Sequence, residues 1–333
     1  MSQPPLRLGT RKSPMAMVQS GQVARLITER TGAAVELVGL TTFGDVTRAD
    51  LPQIGGTGVF VSALRESLLA GDIDLAVHSL KDLPVGPVPG LVLAAVPTRD
   101  DVRDALAARD GAKFADLPPG ARIGTGSPRR AAQLRLLRPD VQPVPVRGNA
   151  GTRLGKVTSG ELDAVLLACA GLARIGRMDA VTQVFEPEEM LPCPGQGALA
   201  VECRDSDTLP DGTVLANTGL AELLSSVDDP VSRAAVTAER AVLAALRAGC
   251  SAPVGAYAAG TELLHVRAVI AAVDGESAMR ASGTAPAAEA ARLGGDVAAE
   301  LLRQGAARLL APGVSTAPMG AEPSEHLSRG DDA

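Results

Sequence analysis

The side chains with the most chemistry in this chain are arginines at the ends of apolar runs. In RIGTGSPRRAAQ (122–133) a strand-like run ends in a Gly-Thr-Gly turn. Ser127 can cap the helix that follows, and Pro128 suits its first position. Arg129 and Arg130 then fall in the first helical turn, where the positive end of the helix dipole disfavours cations. Two arginines make sense there if an anion binds the free backbone N–H groups, the Ser/Thr hydroxyls and the guanidinium groups together. The pattern recurs in VPVRGNAGTR (Arg147, Arg153), in CAGLARIGR (Arg174, Arg177) and in LGTRKSP (Arg11, Ser13). Open α/β sheets bind ligands at strand C-termini, so these arginines suit a ligand with several carboxylates or phosphates. One such arginine is ordinarily a solvated helix-face residue, but four sites with the same turn chemistry outweigh that reading.

One carboxylate stands against this positive background. AVHSLKDLPV places Lys81 and Asp82 just past an apolar run and ahead of Pro84. Asp82 could be a simple turn aspartate. It could also be the single negative group of an arginine-lined cleft, stabilising a developing cation or moving a proton. His78, on the run itself, reads as a packed structural histidine. Four cysteines lie at 169, 193, 203 and 250, without CxxC spacing, and there are three histidines, so neither a zinc cluster nor any other metal site is expected. Cys250 follows Gly249 at the end of an alanine-rich helix, in LRAGCSAPVGA.

Elements that would position these groups are readable up to about residue 200. Strand-like runs occur at 6–9, 35–42, 74–80, 91–96, 141–146, 164–170 and 197–203, with amphipathic stretches between several of them. That alternation suggests βαβ units and a mostly parallel sheet, one large or two small. After about residue 220 a long helix opens with Asp229 as N-cap and Pro230 at its first position, and is expected to stop at Gly249. Hairpin-like strands and a second helix (288–305) complete a small α+β unit, and the polar last 20 residues read as a disordered tail.

Composition narrows the function. Residues 98–180 hold 12 arginines and two lysines against nine carboxylates, although the whole chain carries a net charge of −6. With no Trp, one Tyr and four Phe, base-stacking platforms are missing, and no nucleic-acid partner is expected. No run approaches the roughly 18 apolar residues of a membrane span, and the N-terminal stretch lacks a signal-peptide core; no membrane association and a cytoplasmic setting with reduced thiols are expected. GNAGTRLGKV departs from a phosphate loop at Ala150 and Val157, and no intact G-x-G-x-x-G opens a helix.

Seven segments, in order, carry a resemblance over residues 6–312: GTRKSPMAMVQ, VHSLKDLP, GTGSPRRAAQL, VRGNAGTRL, LPCPGQGALAVEC, VTAERA and AGCSAPVGA. Together they are similar to porphobilinogen deaminase, or hydroxymethylbilane synthase. The resemblance implies α/β architecture: two periplasmic-binding-protein-like α/β domains with mainly parallel five-stranded sheets, plus a small C-terminal α+β domain. The expected division is 1–97 with 198–219, then 98–197, then 220–313, with 314–333 as tail. It implies a transferase of tetrapyrrole and heme biosynthesis that condenses four porphobilinogen molecules head to tail, releases ammonia, and frees hydroxymethylbilane by hydrolysis. By the same resemblance Asp82 is catalytic and Cys250 carries a dipyrromethane cofactor through a thioether. Arg11, Ser13, Lys81, Thr125, Ser127, Arg129, Arg130, Arg147, Arg153 and Arg174 bind pyrrole carboxylates, and Gln19 and Gln196 are further cleft residues. A monomer is the expected state, and hand-over of product to the next pathway enzyme is left open. The chain departs from the family at Thr57 and Ser62, where lysines are usual, and at Gly126 and Pro128 in GTGSPRR. The competing class is a non-catalytic two-lobed binding protein for a polycarboxylate.

Overall fold

The structure is a computed structural model that describes residues 4–40, 58–205, 219–249 and 252–310. Cys250, Thr57 and the 314–333 segment lie outside the described residues. Thirteen strands form three sheets among the described residues. The first sheet contains β1 (Leu6–Arg11), β2 (Val35–Leu40), β3 (Leu75–Ser79), β4 (Leu91–Ala95) and β10 (Leu199–Arg204), in the order β2-β1-β3-β10-β4. β10 runs antiparallel to both neighbours and the other four strands run one way. The second contains β5 (Asp104–Ala108), β6 (Arg122–Gly124), β7 (Gln142–Val144), β8 (Ala164–Ala168) and β9 (Gln183–Phe185), in the order β7-β6-β8-β5-β9. Again only the fourth strand in that order, β5, is antiparallel. The two sheets therefore share one topology. β11 (Val254–Ala259), β12 (Leu263–Ala271) and β13 (Ala278–Pro286) form a small antiparallel sheet.

Local signals explain the helices that carry the site. In α1 (Pro14–Thr31) the Ser13 hydroxyl accepts from the Ala16 N–H, and Gly32 closes the helix in the left-handed region at φ 74°. α2 spans Gly58–Ala70. Ser127 caps α3 (Pro128–Leu137) by accepting from the Arg130 N–H, and Asn149 caps α4 (Ala150–Thr158) through the Thr152 N–H. α5 spans Cys169–Arg174 and α6 spans Leu220–Ser225. In α7 (Pro230–Ala245) Asp229 accepts from the Ser232 N–H, as its position before Pro230 predicts. α8 (Ala290–Arg303) packs Leu293, Val297 and Leu301 on the third sheet.

Several expectations needed correction. α7 ends at Ala245 rather than at Gly249, and the left-handed residue that turns the chain is Arg247, at φ 50°. β5 falls in a segment that gives no strand signal, because Ala-Leu-Ala-Ala lacks the β-branched residues that mark a strand. β9 escaped because Gln-Val-Phe is too short a run to show a period, and β13 because Ala278–Pro286 is built mostly of small and polar residues. The run at 164–170 is β8 only to Ala168, and Cys169 starts α5.

Candidate functional site

Two chain crossings join the first two sheets, residues 96–103 and 191–198, and they lie side by side. The Asp100 N–H donates to the Gly197 carbonyl at 3.3 Å, and Arg99 Nε donates to the Gln196 carbonyl at 2.8 Å. Gly197 has φ 87°, and a Cβ there would stand 2.5 Å from the Asp100 carbonyl oxygen, so only glycine fits. Glu239 of α7, fully buried, locks the crossings: it takes Arg99 through both guanidinium nitrogens at 2.7 and 2.8 Å and accepts from the Gly195 N–H at 2.7 Å. It also accepts from the Ala258 N–H in the third sheet, at 2.9 Å.

Asp82 ends a single 3-10 turn, Leu80–Asp82, directly after β3. Three adjoining cavities meet at it. One, of about 80 Å³, is lined by Arg11, Gln19, His78 and Ser79. A second, of about 320 Å³, is lined by Lys81, Ser127, Arg129, Arg130, Arg153, Cys193 and Gln196. A third, of about 270 Å³, is lined by Lys81, Leu83, Pro84, Arg240, Ala248 and Gly249. Asp82 lines all three, and it is the one carboxylate among their described lining residues. Burial pushes its carboxyl above the ordinary aspartate value, against the opposing pull of Lys81, Arg11 and His78. Burial likewise pushes Lys81 down, while Asp82 holds it up.

The paired arginines of α3 have an internal partner that sequence reasoning missed. Asp104, fully buried at the start of β5, faces Arg129 Nη1 at 2.7 Å and accepts from Arg130 Nη2 at 2.7 Å and Nε at 3.0 Å. Burial alone would raise the Asp104 carboxyl, but the charges of Arg129 and Arg130 and their hydrogen bonds outweigh it and hold it well below the usual carboxylate range. One carboxylate between two guanidinium groups leaves an excess positive charge facing the cavity. Gln196 closes the network: its Nε2 donates to Asp104 at 2.9 Å and to the Val102 carbonyl at 2.7 Å.

The remaining expected residues divide. Arg11, Gln19, Lys81, Asp82, Ser127, Arg129, Arg130, Arg153 and Gln196 line the three cavities. Ser13, Thr125, Arg147 and Arg174 are not among the lining residues. Ser13 caps α1, and Thr125 is buried with its hydroxyl accepting from the Ser127 N–H. Arg147 is exposed. Arg174 braces a crossing, donating to Asp100 at 2.9 Å and to the Gly197 carbonyl at 2.7 Å. Gly126 has a packing reason, because a Cβ there would stand 3.0 Å from the Val146 carbonyl oxygen. Ser62 sits on an exposed face of α2. His78 is packed as expected, its Nε2 lying 3.3 Å from buried Glu202. Cys169 and Cys203 are buried, and burial pushes the Cys169 thiol up to about 12. Cys193 faces the cleft, which its proline-flanked sequence did not signal. No described helix is long and apolar enough to cross a membrane.

The geometry is that of a cationic cleft around one carboxylate, and comparison with known proteins says which family builds it. A family model described as porphobilinogen deaminase, dipyromethane cofactor binding domain, matches residues 6–212, and one for the C-terminal domain of porphobilinogen deaminase matches 233–303. The chain belongs to the porphobilinogen deaminase family. The porphobilinogen deaminase of Thermobifida fusca is 59% identical over 320 residues, covering 93% of this chain and 97% of that protein. Porphobilinogen deaminase 1 of Streptomyces coelicolor is 53% identical over 324 residues, covering 93% and 98%. Among solved structures, a periplasmic substrate-binding protein of an ABC transporter from Coxiella burnetii aligns with 71% of this chain and 96% of its own, at 15% identity and TM-score 0.41. That distant likeness carries no argument, and the competing binding-protein reading has no other support. The porphobilinogen deaminase family is one of transferases.

Proposed function

We propose that the cleft around Asp82 is the condensation site of this porphobilinogen deaminase and that Cys250 anchors the dipyrromethane. The observation that carries this reading is the convergence of three cavities on a single carboxylate among cations. Polycarboxylate substrate and cofactor fit that donor set, because each pyrrole brings an acetate and a propionate and guanidinium groups bind carboxylates bidentately. Arg11, Lys81, Arg129, Arg130 and Arg153 hold these acids, with Gln19, Ser127 and Gln196 completing the wall. Ser13, Thr125 and Arg174 act from behind the wall, by shaping turns and a crossing, and exposed Arg147 meets carboxylates from outside the three cavities. When bound, the dipyrromethane would supply the free pyrrole α-carbon to which the first ring is joined.

Asp82 accepts from the pyrrole N–H of the arriving ring. Loss of ammonia develops positive charge on that ring, and a fixed carboxylate in a partly dry site stabilises it more than water does. The arginines keep the substrate's own carboxylates away from that position, so that Asp82 is not displaced. We further assign residues 1–97 with 198–219, 98–197 and 220–313 to three domains and porphobilinogen as the small-molecule substrate, with the cytoplasm as compartment and a monomer as working unit.

Intact-protein mass spectrometry tests the anchor. The purified chain supplied with porphobilinogen should exceed its sequence mass by a two-pyrrole adduct, and Cys250→Ser should remove the adduct. A bare mass in the unsubstituted protein would sink the mechanism. The Lys81–Asp82 pair gives a second test. The acid limb of the kcat profile should lie above the ordinary aspartate value of 3.8, because Asp82 must be ionised and burial raises it. Lys81→Met removes the largest opposing charge, so the acid limb should move to still higher pH. A limb that stays in place or moves down would remove Asp82 as the titrating group.

A further inference from the structure

The segment VTAERA contributes two charged residues to which the cleft reading assigns no part in chemistry, Glu239 and Arg240. Glu239 locks the crossings, as described above. Arg240, its neighbour on α7, reaches instead to the turn that carries Asp82. Its Nη1 donates to the Leu83 carbonyl at 2.7 Å and lies 3.4 Å from that of Leu80, and its Nη2 donates to the Pro84 carbonyl at 2.8 Å.

The turn needs that help. Before Asp82 the backbone is tied to β10's approach by the Leu80 N–H, which donates to the Ala198 carbonyl at 3.0 Å. Inside the turn the Leu83 N–H closes on the Leu80 carbonyl at 3.1 Å. Beyond Asp82 the chain reaches Pro84, which has no N–H to donate. The carbonyls of Leu83 and Pro84 are held from outside by one guanidinium, so Asp82 is suspended between the Ala198 tie on one side and Arg240 on the other. Arg240 can act as a fixed post because Glu239 pins the same helical turn to Arg99, Gly195 and Ala258. Burial lowers the Arg240 guanidinium, with Arg65 adding to that and Glu202 opposing it, which fits a group spent on backbone carbonyls rather than on a carboxylate. The cavity beside it is lined by both Asp82 and Gly249, the residue before Cys250.

We propose that Arg240 is a positioning residue for the reaction: it fixes the Asp82 turn to the helix that runs on toward Gly249, and so sets where the carboxylate stands relative to the anchored chain. This rests on the reading of Asp82 as the reacting carboxylate. The test uses the holoenzyme and its Arg240→Met and Arg240→Lys variants, with Asp82→Asn measured alongside, and reads kcat, KM for porphobilinogen, adduct mass and melting temperature. Arg240→Met should keep its two-pyrrole adduct, with KM within about twofold and kcat lowered about 30- to 100-fold, the cost of a misplacement of about 1 Å. Arg240→Lys, which keeps a cationic donor, should recover about tenfold of that loss.

Turnover of Arg240→Met within about threefold of the parent, or a lowered melting temperature with kcat preserved, overturns the proposal and leaves a brace only. Loss of the adduct overturns it too, since Arg240 would then serve loading. Should Arg240→Met fail to fold, Arg240→Lys decides alone, by a kcat deficit at constant KM or by none. An active Asp82→Asn protein defeats the reading of Asp82 itself, whereas an inactive one beside a normal Arg240→Met protein defeats only the positioning role.

Discussion

Asp82→Asn should leave a folded, cofactor-loaded protein whose turnover falls by about 10²- to 10⁴-fold, the range for removing one charge or proton acceptor used in a transition state. The substitution is nearly isosteric and keeps a side-chain oxygen, so what is lost is charge. Stability should not fall with activity. Burial raises the Asp82 carboxyl in the folded protein, so its ionised form costs stability wherever the pH lies above that raised value. The cost disappears at acid pH, where the group is protonated in both states. Near neutrality the asparagine variant should therefore melt at or slightly above the parent temperature. Porphobilinogen turnover and a thermal melt on one preparation check both halves. Near-normal turnover would falsify the role of Asp82, and a melting temperature several degrees lower would show that its carboxylate is structural.

Asp104→Asn should do the reverse damage and destabilise the protein by about 3–5 kcal/mol, the cost of leaving buried charge uncompensated. For a domain of 150–250 residues that corresponds to a fall of roughly 10 °C or more in melting temperature. Arg129 and Arg130 would remain buried beside β5 with no carboxylate between them, and Gln196 would lose an acceptor. The pH dependence has a definite sign. The folded Asp104 carboxyl is held below its ordinary 3.8, so its contribution is fully present above that value and is lost as the pH falls through the lower folded one. The gap between parent and variant should be constant from about pH 5 to pH 8 and close only in strong acid. A gap smaller than 2 °C at neutral pH would mean the network is not the main brace of this sheet. The pair also affects how an Arg129→Ala variant is read. Removing Arg129 takes away a cavity cation and one of the two charges on Asp104, so its activity loss is interpretable only beside its melting curve.

What sequence alone determined here is local. Ser127 and Asp229 cap their helices because capping depends on a hydroxyl or carboxylate three residues from an N–H, a relation contained in a few consecutive residues. The placing of Arg11, Arg129, Arg130 and Arg153 at strand and helix ends followed from the same short-range logic, and the family motifs named Asp82 and Cys250. Tertiary structure decided which of these groups share a cavity. Arg147 and Arg174 carry the same turn signature as Arg153, yet one is exposed and the other braces Asp100 and Gly197. Asp104 meets Arg130 across 26 residues, Glu239 meets Arg99 across 140, and Arg240 meets Leu83 across 157. No period or cap encodes partners at such separations. They are set by how two sheets of the same topology pack around paired crossings, where a charge leaves water only if another element delivers its partner.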